Sequence, residues 1–433
     1  MLDKPAVLPY NLPMSKKALS TDSYKGVRDF YPEDAAIQQY IFSTWARTAE
    51  SFGFERYDAS ILEPSDLYKA KGAENEEMVN EQTYTFIDRG EREVTLRPEM
   101  TPTVARMVAG KRRELSFPLR WYSIPNLFRY ERPQRGRLRE HWQLNCDIFG
   151  SNDYTADVEI IALAYQTLID FGAKPEMFEI QINDRAMMTR LYQALGIPDT
   201  QIPAITRLND RHDKIDAQAY RSELKEIVGD GLLVEEIIMM LDNSDEQTDV
   251  VIGLAELGIT NVVFNRSLAR GFDYYTGTIF EIKDTSGEHN RSLLGGGRYD
   301  NLTSLFGDEP ISGIGFGMGD VTMRDFLETH KLLPENVSTS KPVLTVIPTG
   351  NEFNLSAQKI AATFRNISTN VLTDIGTKKI GKKISDAVDN GSLYIIVIGE
   401  DEVANNTFTL KNLLTKEEKT GTLAELSKII NSK

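Results

Sequence analysis

The chain has 433 residues, with 49 Lys or Arg against 64 Asp or Glu, a formal net charge of −15, and 41% hydrophobic residues. That length predicts two or three globular domains, and no run approaches the roughly 20 apolar residues of a membrane span. The acidity excludes indiscriminate nucleic-acid binding, the single cysteine, Cys146, excludes an internal disulfide, and His141, His212, His289 and His330 show no metal-ligand spacing.

Residues 1–24 are aperiodic and Pro-containing and read as an N-terminal arm. They carry no apolar segment behind their charges, so no secretory signal is expected, and a reducing, cytoplasmic compartment is. Ile37, Ile41, Trp45 and Ala49 recur at helical spacing after a Pro-Glu-Asp start, predicting a helix from Asp34 to about Phe52. TYTFID (83–88), EVTLRP (93–98), LRWYSIPNLFRYE (119–131) and WQLNCDIFG (142–150) are strand-like and joined by short connections, which favours an antiparallel sheet. Val158 to Phe171 reads as a helix and FEIQIN (178–183) as a strand.

Residues 184–260 turn helical and charged and read as an insertion. Strands resume with VVFN, TIFEIK, LLGGGRYD and SGIGFGMGD, followed by a helix, TMRDFLETH. Residues 333–341 have linker composition. In 342–433, VLTVIP, NVLTD and LYIIVIG alternate with helical patterns at 353–366 and 376–389, predicting βαβ crossovers and a parallel sheet. Lys378, Lys379, Lys382 and Lys383 cluster there and could track a phosphate backbone or simply be solvated.

Charge is uneven. Lys111 to Arg139 hold nine Lys or Arg against two Glu, and FRYERPQRGRLREHWQ (128–143) sets five arginines around a Pro-Gln-Arg-Gly turn. Guanidinium forks on a loop suit phosphate oxygens. TLRPEMT (95–101) adds Glu99 and Thr101, and LARGFDYYTGTIFEI (268–282) adds Arg270 beside Tyr274 and Tyr275.

KGVRDFYPED (25–34), TLRPEMTPTVARM, FRYERPQRGRLREHWQLNCDIFG, RGFDYYTGTIFE and GGGRYDNL together resemble segments of the class II histidyl-tRNA synthetases, from about Lys25 to the C-terminus. The Arg-Gly-x-Asp-Tyr-Tyr segment is particular to the histidine enzymes. The resemblance implies an α+β catalytic domain with an antiparallel sheet (25–332, helical insertion 184–260) and a C-terminal α/β anticodon-binding domain (342–433). It implies activation of L-histidine by ATP, accompanied by Mg2+, and transfer to tRNA(His) by a homodimer without membrane attachment. Arg129 and Arg270 would grip the α-phosphate and the substrate carboxylate from two sides as the catalytic pair. Glu131 would meet adenine, His141 stack on it, and Arg137 and Arg139 hold phosphates. Glu99, Met100, Thr101 and Gln143 would frame the α-ammonium, while Asp147 and either Tyr274 or Tyr275 read the imidazole. Gln134 and Arg135 would face the tRNA acceptor end.

The sequence departs from the family in three places, the mildest being His141, which stands where the family usually has an aromatic and can still stack. The third class II motif usually ends Gly-x-Glu-Arg; here Val321 and Thr322 stand at the last two positions, and Arg324 lies about 200° further around a helix. Ser60 replaces the first motif's proline, with Pro64 four residues on. The altered third motif favours a rival, a non-catalytic histidine-sensing regulatory paralogue of histidine biosynthesis. The complete arginine set and the C-terminal unit oppose it. A synthetase for another amino acid of the same subclass is a second rival.

Overall fold

The structure, a computed structural model, describes residues 18–70, 82–212, 215–242, 246–269, 274–288, 292–307, 309–334 and 341–431. Two compact units result, Met1–Tyr31 with Ile37–Glu335, and Pro32–Ala36 with Asn336–Lys433.

In the larger unit the main sheet runs in the order β1 (Glu55–Arg56), β5 (Leu119–Ser123), β7 (Glu140–Phe149), β12 (Gly313–Gly319), β11 (Ser292–Arg298), β10 (Thr278–Asp284), β8 (Phe178–Asp184) and β9 (Val262–Phe264). A further strand, β6 (Asn126–Phe128), pairs with β7. All pairs are antiparallel except β1 with β5 and β8 with β9 at the two edges. The run 119–131 is two strands, not one, because Pro125 cannot donate to a ladder and its carbonyl takes the Gln143 amide at 3.1 Å. A small separate sheet joins β2 (Leu62–Pro64), β4 (Glu93–Leu96) and β3 (Tyr84–Ile87).

Strand alternation gives the main sheet two different faces. Leu144, Cys146 and Ile148 of β7, Ile314, Phe316 and Met318 of β12, and Phe280 and Ile282 of β10 point to one side. There they bury against helices α1 (Pro32–Ser51), α3 (Tyr154–Asp170) and α9 (Asp320–Thr329), through Trp45, Ile160, Leu163 and Phe326. Pro32, Glu33 and Asp34 occupy the first turn of α1, as a helix N-terminus favours. Gln143, Asn145 and Asp147 alternate onto the other face, where α2 (Thr101–Gly110) and a smaller cluster of Met100, Val104, Leu119, Tyr275 and Tyr299 pack.

Four helices of the inserted segment, α4 (Arg185–Ala194), α5 (Ile202–Asn209), α6 (Ala217–Val228) and α7 (Gly231–Leu241), share their own core around Tyr192, Ile205, Leu224 and Ile237. The fifth, α8 (Asp249–Glu256), instead buries Val250 and Leu254 in the sheet's main core.

The smaller unit has a mixed sheet rather than the parallel one expected. β13 (Leu344–Pro348) lies parallel between β14 (Val371–Thr373) and β15 (Tyr394–Ile398), and β16 (Phe408–Asn412) and β17 (Glu418–Gly421) extend it antiparallel. Those last two strands are short and largely polar, with every residue of β17 outside the buried core, so no apolar run announces them. Helix α10 (Asn354–Arg365) and helix α12 (Leu423–Asn431) cover one face, and α11 (Ile380–Asp389) the other. The lysine cluster is largely spoken for: Lys378 and Lys382 both pair with Asp386, at 2.6 and 2.9 Å, and buried Lys383 caps the carbonyls of Pro348 and Asp374.

Candidate active site

A cavity of about 1110 Å³ opens on the face of the main sheet opposite the large core. The arginine turn forms one wall. Gln134 and Arg137 exchange backbone hydrogen bonds across the tip, and Gly136 takes the left-handed φ of 75° that closes it. Arg129, Glu131, Arg137, His141 and Gln143 all line the cavity. The Arg129 Nε donates to the Pro98 carbonyl at 2.9 Å, which fixes its stem beside the TLRPEMT segment. Arg137 pairs with Glu131 at 2.8 Å.

Burial, and then the charges of Arg129 and Arg28, push the His141 imidazole down to about 3, so it is a neutral ring at physiological pH. Arg139 does not line the cavity. Its guanidinium lies 4.1 Å over the Tyr130 ring and donates to the Tyr24 hydroxyl and the Lys25 carbonyl, so it holds the incoming chain rather than facing the space. Arg135 is exposed, 3.6 Å from Asp325.

The floor is glycine by necessity. On β12, Gly315 lies across from Asp147 and Gly317 beside Gln143. A Cβ at Gly315 would sit 2.1 Å from the Asp147 Oδ1, and one at Gly317 within 2.6 Å of the Gln143 amide. The alternating glycines of GIGFGMG therefore leave room for the two polar side chains that β7 presents on the same face.

Of the remaining expected histidine-binding residues that the structure describes, Glu99, Met100, Thr101, Asp147 and Tyr274 gather in a separate buried cluster next to this floor and do not line the large cavity. Tyr299 donates to the Asp147 Oδ1 at 2.5 Å. The Tyr274 ring packs edge-on against Tyr299, its centroid 5.9 Å away, and its hydroxyl donates to the Glu99 Oε2 at 3.2 Å. Burial raises the Asp147 carboxyl to about 7, against the lowering effect of the Tyr299 bond. Thr101 meets the Tyr274 hydroxyl, and Met100 is fully buried beneath the start of α2. Tyr275 faces away, lining a smaller cavity of about 250 Å³ against the insertion. Arg270 lies outside the described residues, as does Asp273. Cys146 points into the opposite core, where burial pushes its thiol well up, the behaviour of a packed side chain.

At the far wall, Val321 and Thr322 line the cavity with Ser292, Leu293, Glu281 and Lys283. Arg324 turns aside to Glu328 at 2.8 Å, as the helical angle required. The sequence reading missed Tyr299, just past a glycine-rich strand, and Glu281 and Lys283, whose alternation with Phe280 and Ile282 was the available signal. It also missed Asn209 and Asp210, which bring the insertion to the cavity edge.

A glycine-floored antiparallel sheet, an arginine turn walling a nucleotide-sized cavity, and a separate α/β unit are the arrangement of a class II aminoacyl-tRNA synthetase. A family model described as Histidyl-tRNA synthetase matches residues 26–320, and one described as Anticodon binding domain matches 344–433. Over 430 residues the chain is 42% identical to the histidine–tRNA ligase of Leptospira biflexa, covering 95% of this chain and 98% of that one. It is 36% identical over 433 residues to that of Thermoplasma volcanium, covering 94% and 98%. The solved histidyl-tRNA synthetase from Nostoc sp. PCC 7120 shares the fold, with a TM-score of 0.74 at 23% identity over 96% of this chain and all of that one. This chain belongs to the histidyl-tRNA synthetase family.

Proposed function

We propose that the chain is a histidine–tRNA ligase. It joins the carboxylate of L-histidine to the α-phosphorus of ATP with release of pyrophosphate, then passes the histidyl group to the 3′ end of tRNA(His). One observation carries the reading: β7 sets Gln143, at the arginine-walled cavity, and Asp147, in the buried tyrosine cluster, four residues apart on one sheet face. A nucleotide subsite and an imidazole-sized polar subsite thus share one strand.

The substrate carboxylate is ionised at neutral pH, so the first step needs no general base. It needs alignment and neutralisation of the charge on the phosphoryl oxygens. Arg129, anchored at Pro98, meets the α-phosphate, Arg270 approaches from the opposite side, and Arg137 meets a more distal phosphate. The neutral His141 ring stacks on adenine and Glu131 addresses its edge. Arg139 steadies the arm at Tyr24 and takes no phosphate. Mg2+ enters as part of the substrate MgATP, and the Glu281 carboxylate fits the one or two protein carboxylates such an ion uses.

In the amino-acid subsite Asp147 accepts from one ring nitrogen and a tyrosine hydroxyl addresses the other. Tyr274, bonded to Glu99, is the better placed of the two tyrosines named from sequence, because Tyr275 faces the insertion. Glu99, Thr101 and Gln143 hold the α-ammonium. A site of this kind rejects an amino acid lacking the paired ring nitrogens by roughly 10⁴-fold or more. Gln134 and Arg135 at the turn tip meet the acceptor end, and residues 342–433 hold the anticodon. A cytoplasmic homodimer is part of the reading; exposed Leu62, Phe86 and Ile87 on the small sheet support a partner there.

ATP–pyrophosphate exchange with a panel of amino acids tests the proposal. Exchange stimulated by histidine alone is expected. Silence with histidine would leave the regulatory, sensing role, and stimulation by threonine or proline would make the chain a ligase for another amino acid.

A further inference from the structure

ATP brings about four negative charges into the cavity, and the third-motif arginine that would face its outer phosphates is absent. Thr322 occupies that position, and its hydroxyl shares its one proton between the carbonyls of Leu293 and Gly319, both at 3.2 Å. A neutral hydroxyl committed to two backbone carbonyls cannot balance a terminal phosphate. Among the described residues lining the cavity, the cationic side chains are Arg129, Arg137 and Lys283. The two arginines stand on the wall formed by the turn between β6 and β7. Lys283 stands on β10, three strands across the sheet, a separation of about 14 Å at the usual strand spacing.

We infer that Lys283 supplies the missing cation, binding the β- and γ-phosphates of ATP from the wall that the motif arginine would otherwise command; the inference rests on the ATP-using reading above.

Three features of the strand pair support it. Phe280 and Ile282 are fully buried in the opposite core, so alternation places Glu281 and Lys283 on the cavity side. The register between β10 and β11 then slips: Ile282 opposes Leu294, but Lys283 opposes Ser292, leaving Leu293 as the extra residue of a bulge. Bulges re-aim side chains next to active sites, and the carbonyl of this bulge residue is the one that receives the Thr322 hydroxyl. Lys283 and Thr322 are therefore neighbours across a single residue of β11. The lysine side chain is 34% exposed, and its carboxylate neighbour Glu281 lies 3.9 Å away. A lysine there acts as a compact, mobile point charge, whereas the arginine it replaces would have bound as a rigid fork.

Calorimetric titration of the full-length protein with MgATP and, separately, with AMP tests this. Lys283→Met is expected to weaken MgATP by roughly 10- to 100-fold, as removal of a hydrogen bond to a charged group does, and to leave AMP binding unchanged because AMP has no outer phosphates. Lys283→Arg should retain MgATP affinity. Thr322→Arg placed in the Lys283→Met chain should recover it, since both positions reach the same phosphates. Equal MgATP affinity in the wild type and Lys283→Met overturns the assignment, and so does an equal loss for AMP and MgATP, which would mark a structural role. A wild-type chain that binds MgATP but gives no exchange with histidine would remove the ligase reading while leaving Lys283 to be judged by the titrations.

Discussion

His141 lines a nucleotide-sized cavity and resists protonation there, and that adds one acid-sensitive contribution, calculable by itself, to the stability of the folded chain. Its imidazole titrates at about 3 in the folded state against 6.5 when unperturbed. A group with a depressed folded pKa contributes stability that is fully present above 6.5 and is lost as pH falls toward 3. At pH 5 the unfolded chain holds this proton almost completely and the folded chain almost not at all. The proton linkage then costs about 2 kcal/mol of unfolding free energy relative to pH 8. His141→Phe keeps an aromatic ring on the wall and removes the titration. Urea unfolding followed by tryptophan fluorescence is the suitable assay, because Trp45, Trp121 and Trp142 all lie before residue 335 and report the catalytic unit alone. Between pH 8 and pH 5 the wild type should lose about 2 kcal/mol more than His141→Phe. Equal losses in the two proteins would refute the argument that Arg129, Arg28 and burial hold this ring neutral.

Other perturbations address the two subsites. Tyr299→Phe leaves the buried Asp147 carboxylate without its donor and should cost roughly 1–3 kcal/mol of stability while raising KM for histidine more than KM for ATP; unchanged melting and kinetics would mean the bond is incidental. Gly315→Ala places a methyl 2.1 Å from the Asp147 Oδ1 and 2.6 Å from the Cys146 carbonyl, so histidine activation should fall at least about 10-fold with AMP binding kept; wild-type histidine KM would refute the glycine-floor account. Arg270→Ala should collapse adenylate formation with melting temperature nearly unchanged, and a large loss of stability would instead make that arginine structural. Removal of residues 342–433, a unit with its own core, should spare pyrophosphate exchange and impair tRNA charging; normal charging by the shortened chain would contradict the anticodon role.

For the catalytic sheet, though not for the polar strands β16 and β17, the strand-forming runs and the alternation of their side chains were already written in the sequence. Period-two alternation is a local steric property, so WQLNCDIF declares Leu144, Cys146 and Ile148 inward and Gln143 and Asp147 outward without reference to any other strand. The arginine turn was equally legible, because Pro133 and Gly136 bound it. Tertiary structure alone decided what lies opposite each outward residue. Only the sheet order sets Gly315 beneath Asp147 and Tyr299 within hydrogen-bond reach of it, since cross-strand register joins segments more than a hundred residues apart, and only the fold brings Lys283 and Thr322 to one cavity. It also removed Arg139 to the arm and turned Tyr275 toward the insertion, because packing and not spacing along the chain decides where a long side chain ends.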